Sequence, residues 1–199
     1  MGLALGAGWL AQDLSLPAEN HGVLVPRWSA LENAPFPTRT EEYWWLAASL
    51  EAAERGTVLD AGSGFNPEIH LAPYILGNMG FDVLAVDQNP LTMQMPPHQC
   101  VTRAQGDICA LSELCDNAFS YWICISTLEH MTYEEQHDAL LEAKRLLKPG
   151  GHVLVTTDET EPERVNTLLQ CVGLDVGPIM PQNGTMLSPR VAWAIARKS

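Results

Sequence analysis

Short apolar segments alternate with stretches of helical pattern over the middle of the chain, and this alternation restricts the possible folds more than any other feature. The apolar segments are 57–59, 81–86, 99–103, 119–125 and 152–157. Helical patterns over 67–77 and 133–147 separate some of them. Strands joined by helices lie parallel with right-handed crossovers, and continuous apolar runs suit strands that are buried on both faces. The pattern therefore predicts a doubly wound α/β fold.

One more helix and two more strands are predicted beyond this alternation. The helix covers 163–172 and ends at Gly173, and the strands cover 174–176 and 191–196. The last strand follows a loop, 177–189, that has no helical pattern, so it could join the sheet antiparallel. A chain of 199 residues suits one domain of ordinary size.

The first 40 residues differ from the rest of the chain. Four prolines there break any long helix: Pro17, Pro26, Pro35 and Pro37. A helix is predicted from Glu41 to Glu54, with Thr40 as its N-cap. We therefore divide the chain into an irregular N-terminal arm or lid, residues 1–40, and a domain, residues 41–199.

Charge and cysteine content narrow the classes of function. The chain has 11 Lys and Arg against 24 Asp and Glu, a formal charge of −13, so extended contact with a nucleic-acid backbone is not expected. Its five cysteines form no CxxC pair and show no metal-ligand spacing, which favours reduced thiols in a cytoplasmic protein without a metal. No apolar run reaches the ~18 residues of a membrane span.

The turn after the first strand carries two glycines that could bring a ligand close to the backbone. Asp60 ends the strand, and Gly62, Ser63 and Gly64 follow it. The turn is predicted to enter a helix N-terminus, where free N–H groups and the helix dipole favour a ligand. Alternatively, the glycines serve only the backbone shape of a strand–helix turn.

An acidic residue ends the second strand. Asp87 follows Gly64 by 23 residues, close to the spacing of about 20 expected for an acid that binds ribose hydroxyls. A carboxylate can accept two hydrogen bonds from a vicinal diol. The spacing favours this role over that of a helix N-cap or a surface acid.

The ends of the third and fourth strands add further candidates. Asp107 could accept from an exocyclic adenine amine while Ile108 covers a ring face, or Asp107 could cap the next short helix. Ser126 begins the loop after the fourth strand, and His130 lies in it. An imidazole there could take a proton from an acceptor group as a general base, or serve as a structural hydrogen-bonding residue.

Taken in order, these segments resemble the motifs of the class I S-adenosylmethionine-dependent methyltransferases, in their broad small-molecule group. VLDAGSG is similar to the glycine-rich first motif, VLAVDQNP to the acidic second, QGDI to the third and FSYWICISTLEHM to the fourth, and LLKPGGHVLVTT to the helix–turn–strand that follows. One glycine motif is weak evidence, whereas the ordered set is specific. The resemblance implies a single seven-stranded sheet with helices on both faces and an antiparallel last strand.

The resemblance also implies roles for individual residues toward the cofactor S-adenosylmethionine, whose product is S-adenosylhomocysteine. The first-motif residues would line the methionine part: Asp60, Gly62, Ser63 and Gly64. Asp87 would take the ribose diol, with Gln88 beside the adenine. Asp107 and Ile108 would contact the adenine, and Ser126 would lie beneath the sulfonium. The family's third glycine is Asn66 here, which we expect the turn to tolerate because the first two glycines remain.

A segment near residue 40 is similar to an R-x-x-E-Y segment of some small methyltransferases, which implies a sugar or a secondary metabolite as the methyl acceptor. Arg39 could clamp the cofactor carboxylate or a substrate acid, or form a surface salt bridge with Glu41 or Glu42. Trp44 and Trp45 are expected to be core and pocket wall respectively, or both core.

Three functions other than methyl transfer are conceivable for such a chain. A nicotinamide dehydrogenase would need a third glycine where Pro67 stands, and a second domain, so it is disfavoured. An aminopropyl transferase shares the fold and needs acidic residues, which the chain has. An inactive cofactor-binding module that acts through a protein partner also stays open, as does a homo-oligomer. A small-molecule acceptor and transfer to oxygen or nitrogen are the favoured interpretation.

Overall fold

The computed structural model describes residues 37–66, 69–157, 162–177 and 192–199. Its helices are α1 (Pro37–Leu50), α2 (Ala72–Asn78), α3 (Tyr133–Leu146) and α4 (Pro162–Cys171). Its strands are β1 (Thr57–Ala61), β2 (Asp82–Asp87), β3 (Val101–Gln105), β4 (Phe119–Ile125), β5 (Leu147–Thr157), β6 (Asp175–Val176) and β7 (Ala192–Arg197). Most of the predicted N-terminal arm and of loop 177–189 lies outside the described residues. No helix in the described ranges is long and apolar enough to cross a membrane.

The seven strands form one sheet in the order β3–β2–β1–β4–β5–β7–β6. The first five strands pair parallel, and β7 runs antiparallel to both β5 and β6. This arrangement confirms the predicted doubly wound sheet with an antiparallel last strand. The strands β2 and β3 lie on one side of β1, and β4 to β7 lie on the other side. The direction in which strands are added therefore reverses between β1 and β4, and this is the switch point of the sheet.

Several elements begin at residues other than those predicted: β5, for example, begins at Leu147, five residues early. α1 begins at Pro37 and not at Glu41, because proline suits the first helical turn, where its missing N–H is not needed. β3 covers Val101–Gln105, two residues later than predicted. The residues before it are held in a turn, in which the Cys100 N–H donates to His98 Nδ1 at 3.2 Å.

Alternating strand residues supply two apolar cores on opposite faces of the sheet. Leu59, Leu84 and Trp122 point toward α3 and α4, and all three are fully buried. Their neighbours Val58 and Val83 point toward α1 and α2. The strands are therefore buried on both faces, as their continuous apolar sequences predict.

Helix α1 presents a different face to the core from the one expected. Tyr43, Leu46 and Leu50 are buried, which leaves Trp44 55% exposed. The expectation that Trp44 lies in the core was wrong, because positions 43, 46 and 50 share one helical face and position 44 lies off it. Trp45 stacks on Trp193 of β7, with ring centroids 5.6 Å apart and planes 15° from parallel.

The loop between β3 and β4 is held in place by α3. The Arg145 guanidinium donates to the carbonyl oxygens of Leu111 and Leu114 at 3.0 and 2.9 Å. The Leu111 N–H donates to Glu142, which also pairs with Arg145 at 2.7 Å. Hydrogen bonding to Arg145 lowers the pKa of Glu142 and keeps this pair charged. The helix thus fixes the loop that contains Asp107.

Candidate functional site

The sheet order brings the residues that the sequence predicts for the site to the carboxyl ends of neighbouring strands. Asp60 and Asp87 end the neighbouring strands β1 and β2, and Ser126 follows β4 on the other side of β1. Carboxyl ends of parallel strands next to a switch point form the usual ligand crevice of this fold class. The described geometry therefore gathers these three side chains where a ligand is expected.

The turn after β1 needs both of its glycines. Gly62 and Gly64 have φ angles of +75° and +74°, a region that side chains disfavour. A Cβ on Gly62 would overlap the Thr127 side chain, and a Cβ on Gly64 would overlap the His70 ring. The glycines thus serve both the turn and the close packing of two neighbouring side chains.

Every backbone N–H from Gly62 to Asn66 is used inside the protein. The N–H groups of residues 62 and 63 both donate to the Val86 carbonyl at 2.9 Å. The Gly64 N–H donates to Asp87 Oδ2 at 2.9 Å. Those of residues 65 and 66 both donate to His70 Nδ1, at 3.0 and 2.9 Å. The turn therefore offers no free N–H to an anion, contrary to the expectation from its sequence.

His70 accounts for two of these five N–H groups, those of Phe65 and Asn66. The helix predicted from residue 67 begins only at Ala72, so the turn does not lead directly into a helix N-terminus. Residues 67 and 68 lie outside the described residues, and the chain folds back at 69–70, where both N–H groups donate to the Asn66 carbonyl. This places the imidazole against Gly64. No sequence motif identifies such a histidine, because its role depends on where α2 begins.

Replacing His70 with alanine is expected to loosen the turn. The N–H groups of Phe65 and Asn66 would lose their shared acceptor, at a cost of about 1 kcal/mol each. Hydrogen–deuterium exchange at these two amides should become at least tenfold faster, as measured by NMR. His137→Ala, on α3, is the control and should leave both rates unchanged. Unchanged exchange in His70→Ala would refute the assigned role of the imidazole.

Asp87 joins the ends of β1 and β2. Its Oδ2 accepts from the Gly64 N–H, and its Oδ1 accepts from the Asn89 N–H at 2.8 Å. The side chain is half-buried, and each carboxylate oxygen can accept a further hydrogen bond. Asp87 is thus held in a fixed orientation, as recognition of a diol would require.

Asp60 is a buried acid that lies just before the turn after β1. It is 1% exposed, and its Oδ2 has no hydrogen-bond partner among the described residues. Burial raises the pKa of Asp60 to about 7, although the positive charge of Arg103 opposes this shift and the charge of Asp87 adds to it. The Ser63 hydroxyl is likewise buried and unpartnered within the described ranges. Such groups are costly to bury, and a ligand with hydrogen-bond donors would satisfy them.

Arg103 is a cation whose charge acts on Asp60, and the sequence analysis missed it. Asp60, Ala85 and Arg103 lie side by side in register on β1, β2 and β3. The guanidinium carbon lies 5.2 Å from the centroid of the Tyr74 ring, and Nη1 lies 3.4 Å from the Thr92 hydroxyl. A basic residue within a strand belongs to no recognisable motif, so only the strand register reveals that Arg103 lies near Asp60.

Ser126 adopts a backbone conformation that is unusual for a residue with a side chain. Its φ is +43°, and it is buried. Its hydroxyl donates to Glu42 of α1, a fully buried carboxylate that also accepts from the Thr156 hydroxyl at 2.5 Å. Glu42 is thus not at the surface, and a salt bridge of Arg39 with Glu41 or Glu42 stays a prediction, because the Arg39 side chain lies outside the described part of the chain. Glu42 is a second residue that the sequence analysis did not place in the site.

The residues predicted to contact the adenine follow the ends of β2 and β3. Asp107 is exposed, and its Oδ1 accepts from the Cys109 N–H at 2.9 Å, so it does cap a turn. Ile108 is buried in the core that faces α3 and α4. Gln88 is exposed, and its carbonyl accepts from the Gln105 side chain at 3.0 Å. Adenine contact by these residues stays a prediction.

The structure shows where His130 and Arg39 lie in the chain but gives no contact that supports their predicted roles. His130 is exposed at the end of a short 3₁₀ helix, Leu128–His130, four residues after Ser126. Arg39 lies in the first turns of α1, and its side chain is outside the described part of the chain. The role of His130 as a proton acceptor and that of Arg39 as a clamp for a carboxylate stay predictions.

The crevice fits a ligand that is rich in hydrogen-bond donors and carries positive charge. Its buried groups include Asp60 Oδ2 and Ser63 Oγ, which lack partners among the described residues. S-Adenosylmethionine carries an ammonium group, a sulfonium, two ribose hydroxyls and an adenine amine. A pyrophosphate would need donors that the turn has already used. The residues present therefore fit S-adenosylmethionine better than a dinucleotide, which binds through its pyrophosphate.

Comparison with known proteins agrees with this fit. Residues 59–155 match the family described as "Methyltransferase domain". This range includes the β1 turn, Asp87, Asp107 and Ser126. No curated protein matches the sequence at a significant level.

Solved structures share the fold at low sequence identity. The glycopeptide N-methyltransferase MtfA is 16% identical, with a TM-score of 0.66 over 81% of this chain and 90% of that chain. The N-methyltransferase NodS from Bradyrhizobium japonicum WM9, in complex with S-adenosyl-L-homocysteine, is 16% identical, with a TM-score of 0.63 over 86% and 97%. A TehB-like S-adenosylmethionine-dependent methyltransferase from Corynebacterium glutamicum is 19% identical, with a TM-score of 0.64 over 87% and 95%.

Proposed function

Because the chain is a class I S-adenosylmethionine-dependent methyltransferase, we propose that it methylates a nitrogen or oxygen atom of a small-molecule acceptor. Sugars and secondary metabolites are the acceptor classes that its R-x-x-E-Y segment implies. The glycopeptide N-methyltransferase among its structural neighbours supports a nitrogen acceptor in a molecule of this kind.

The proposal rests above all on the chemical character of the β1 turn. Its N–H groups from Gly62 to Asn66 all donate within the protein, whereas the buried oxygens of Asp60 and Ser63 lack partners in the described residues. The backbone of this turn has no N–H group left to donate, whereas the Asp60 carboxylate can accept. That suits a ligand with an ammonium group and ribose hydroxyls, and disfavours one bound through phosphate.

Each residue at the strand ends then has a task toward the cofactor. Asp60 would accept from the ammonium group of the methionine part, and Asp87 would accept from the ribose diol. Asp107 and Ile108 would contact the adenine. Ser126, fixed by Glu42, would lie beneath the sulfonium.

The protein contributes position and a dry environment more than covalent chemistry. The cofactor supplies a methyl group on a positively charged sulfur, which keeps the electron pair of the broken bond. The strand-end residues hold that methyl in line with the acceptor and exclude water. His130 would take the proton that the acceptor atom loses on methylation.

The proposal is tested by calorimetric titration with S-adenosylmethionine, S-adenosylhomocysteine and NAD⁺. NAD⁺ is a matched control because it shares the adenosine part but carries a pyrophosphate. We expect micromolar binding of the first two and none of NAD⁺. A folded protein that binds neither sulfur ligand, or that binds NAD⁺ as well as it binds them, would refute the proposed function.

A further inference from the structure

A positively charged residue lies on the same face of the sheet as Asp60, with one strand between them. In register, Asp60 of β1 pairs with Ala85 of β2, and Ala85 pairs with Arg103 of β3. Neighbouring strands lie about 4.8 Å apart, so the Cα atoms of the acid and the cation are roughly 10 Å apart. Ala85 is fully buried, and its side chain of one carbon is too short to separate the two longer side chains. The register thus places each charge within range of the other.

The guanidinium of Arg103 is held by neighbouring groups but keeps unused donors. Its carbon lies 5.2 Å from the centroid of the Tyr74 ring, and Nη1 lies 3.4 Å from the Thr92 hydroxyl. Its Nε and Nη2 atoms are buried and have no hydrogen-bond partner in the described ranges, and the same holds for Asp60 Oδ2. Buried charged groups are costly unless an opposite charge offsets them. The two charges therefore compensate each other through space.

Other ionisable groups lie on the elements packed around Asp60. They are Asp87 on β2, Cys124 on β4, Glu129 after β4, Glu42 on α1, Tyr74 on α2 and His70 before α2. Burial raises the pKa of Asp60, the charge of Arg103 opposes this rise and the charge of Asp87 adds to it, which leaves the pKa at about 7. Cys124 is neutral because burial raises its pKa well above its usual value. His70 Nδ1 accepts from two N–H groups, so this nitrogen carries no proton.

On the basis of the proposed function, we propose that Arg103 is a positioning residue that holds Asp60 in its ionised form for the ammonium group of S-adenosylmethionine. A carboxylate accepts a charge-assisted hydrogen bond from an ammonium group, whereas a protonated carboxyl lacks the negative charge that strengthens this bond. The pKa of Asp60 lies at about 7, so a nearby charge changes its ionised fraction at neutral pH. Arg103 thereby extends tight binding of the cofactor to lower pH.

Loss of the Arg103 charge is expected to have an effect that depends on pH. For unit charges roughly 10 Å apart at an effective dielectric constant of about 20, the pKa of Asp60 would rise by about one pH unit. Below the pKa, the ionised fraction falls about tenfold for each pH unit. The cofactor would therefore bind about tenfold more weakly than to wild type at about pH 6, and within about twofold of wild type at about pH 8.5. Titration of the ligand itself is common to both proteins and cancels in this ratio.

Calorimetric titration with S-adenosylmethionine at both pH values tests the proposal on wild type and Arg103→Met. Methionine keeps an unbranched side chain against the Tyr74 ring and removes the charge. Arg103→Lys retains the charge and should keep the pH profile of wild type to within about twofold. Arg55→Met is the matched control, because Arg55 also lies over an aromatic ring, with its guanidinium carbon 4.7 Å from the Phe81 centroid. Arg55 precedes β1, whereas Asp60 lies near the other end of that strand, so this control should leave the profile unchanged.

A purely structural role for Arg103 predicts a different result. If its guanidinium only secures Tyr74 and Thr92, its loss would weaken binding of the cofactor equally at both pH values. Equal weakening at the two pH values, or none at either, would overturn the proposal.

NMR of the Asp60 carboxyl carbon follows its ionisation directly in the protein without cofactor. We expect a midpoint at about pH 7 in wild type and about one pH unit higher in Arg103→Met, and an unchanged midpoint would also overturn the proposal. Thermal unfolding establishes whether each variant is folded. If Arg103→Met is not, Arg103→Gln replaces it, since its amide can still donate to Thr92. Wild-type protein that binds no S-adenosylmethionine would refute the proposed function, while the NMR titration still decides whether Arg103 holds Asp60 ionised.

Discussion

Replacing Asp87 with alanine is expected to weaken binding of S-adenosylmethionine about 100-fold or more. The variant would lose the acceptor for the ribose diol. It would also lose the carboxylate that accepts from the Gly64 and Asn89 N–H groups and so joins the ends of β1 and β2. Calorimetric titration measures the loss, and circular dichroism verifies that the sheet is intact.

Asp82→Ala is the matched control for this variant. Asp82 begins the same strand that Asp87 ends, so the two residues lie at opposite ends of β2. We expect its removal to leave cofactor affinity within about twofold of wild type. If Asp87→Ala bound the cofactor as tightly as this control does, the ribose role would be wrong and only the turn contact would remain.

The stability of the protein without cofactor is expected to fall as the pH rises through about 7, because of Asp60. Burial raises the pKa of this carboxyl from 3.8 to about 7, so the folded state binds its proton more tightly than the unfolded state does. Folding is therefore favoured below the unfolded value, and this contribution declines between about pH 4 and pH 7. Asp60→Asn removes the titrating group. Relative to wild type, its free energy of unfolding should rise by about 2 to 3 kcal/mol between pH 5 and pH 8.

Urea unfolding of both proteins at several pH values measures this difference. Comparing the change with pH cancels any constant effect of the asparagine side chain. Glu113→Gln, at an exposed position, should run parallel to wild type throughout. If Asp60→Asn also ran parallel to wild type, the carboxyl would titrate alike in the folded and unfolded states. Burial would then not raise the pKa of Asp60 as the structure indicates.

The sequence predicts well those features that depend on neighbours along the chain. The apolar segments identify the strands within about two residues, except that β5 begins five residues before its apolar segment. Asp60 and Asp87, at or next to the ends of β1 and β2, lie at the same end of the sheet because parallel strands share their direction. A loop without a helical pattern allows the last strand to run antiparallel, and the family resemblance implies that it does. These inferences need only local pattern and general rules of sheet topology.

The sequence is silent where a role depends on packing between distant elements. Glu42 contacts Ser126 across 84 residues, and its burial depends on which face α1 turns to the sheet. Arg103 reaches toward Asp60 only because their strands flank β2 in register. His70 fills the turn because α2 begins at Ala72, later than its sequence suggests. Hydrophobic periodicity locates helices but does not fix their start or rotation to within one residue.

The contacts of α1 have a consequence for the order in which the molecule can assemble. Thr156 and Glu42 are separated by 114 residues, and Trp45 stacks on Trp193 of the last strand. During synthesis α1 leaves the ribosome long before β5 and β7 do, so this helix has no partners until those two strands have been made. Contacts of such sequence separation also form slowly. A nascent or truncated chain would thus lack the contact between Glu42 and Thr156, and cofactor would stabilise only chains whose synthesis has reached β7.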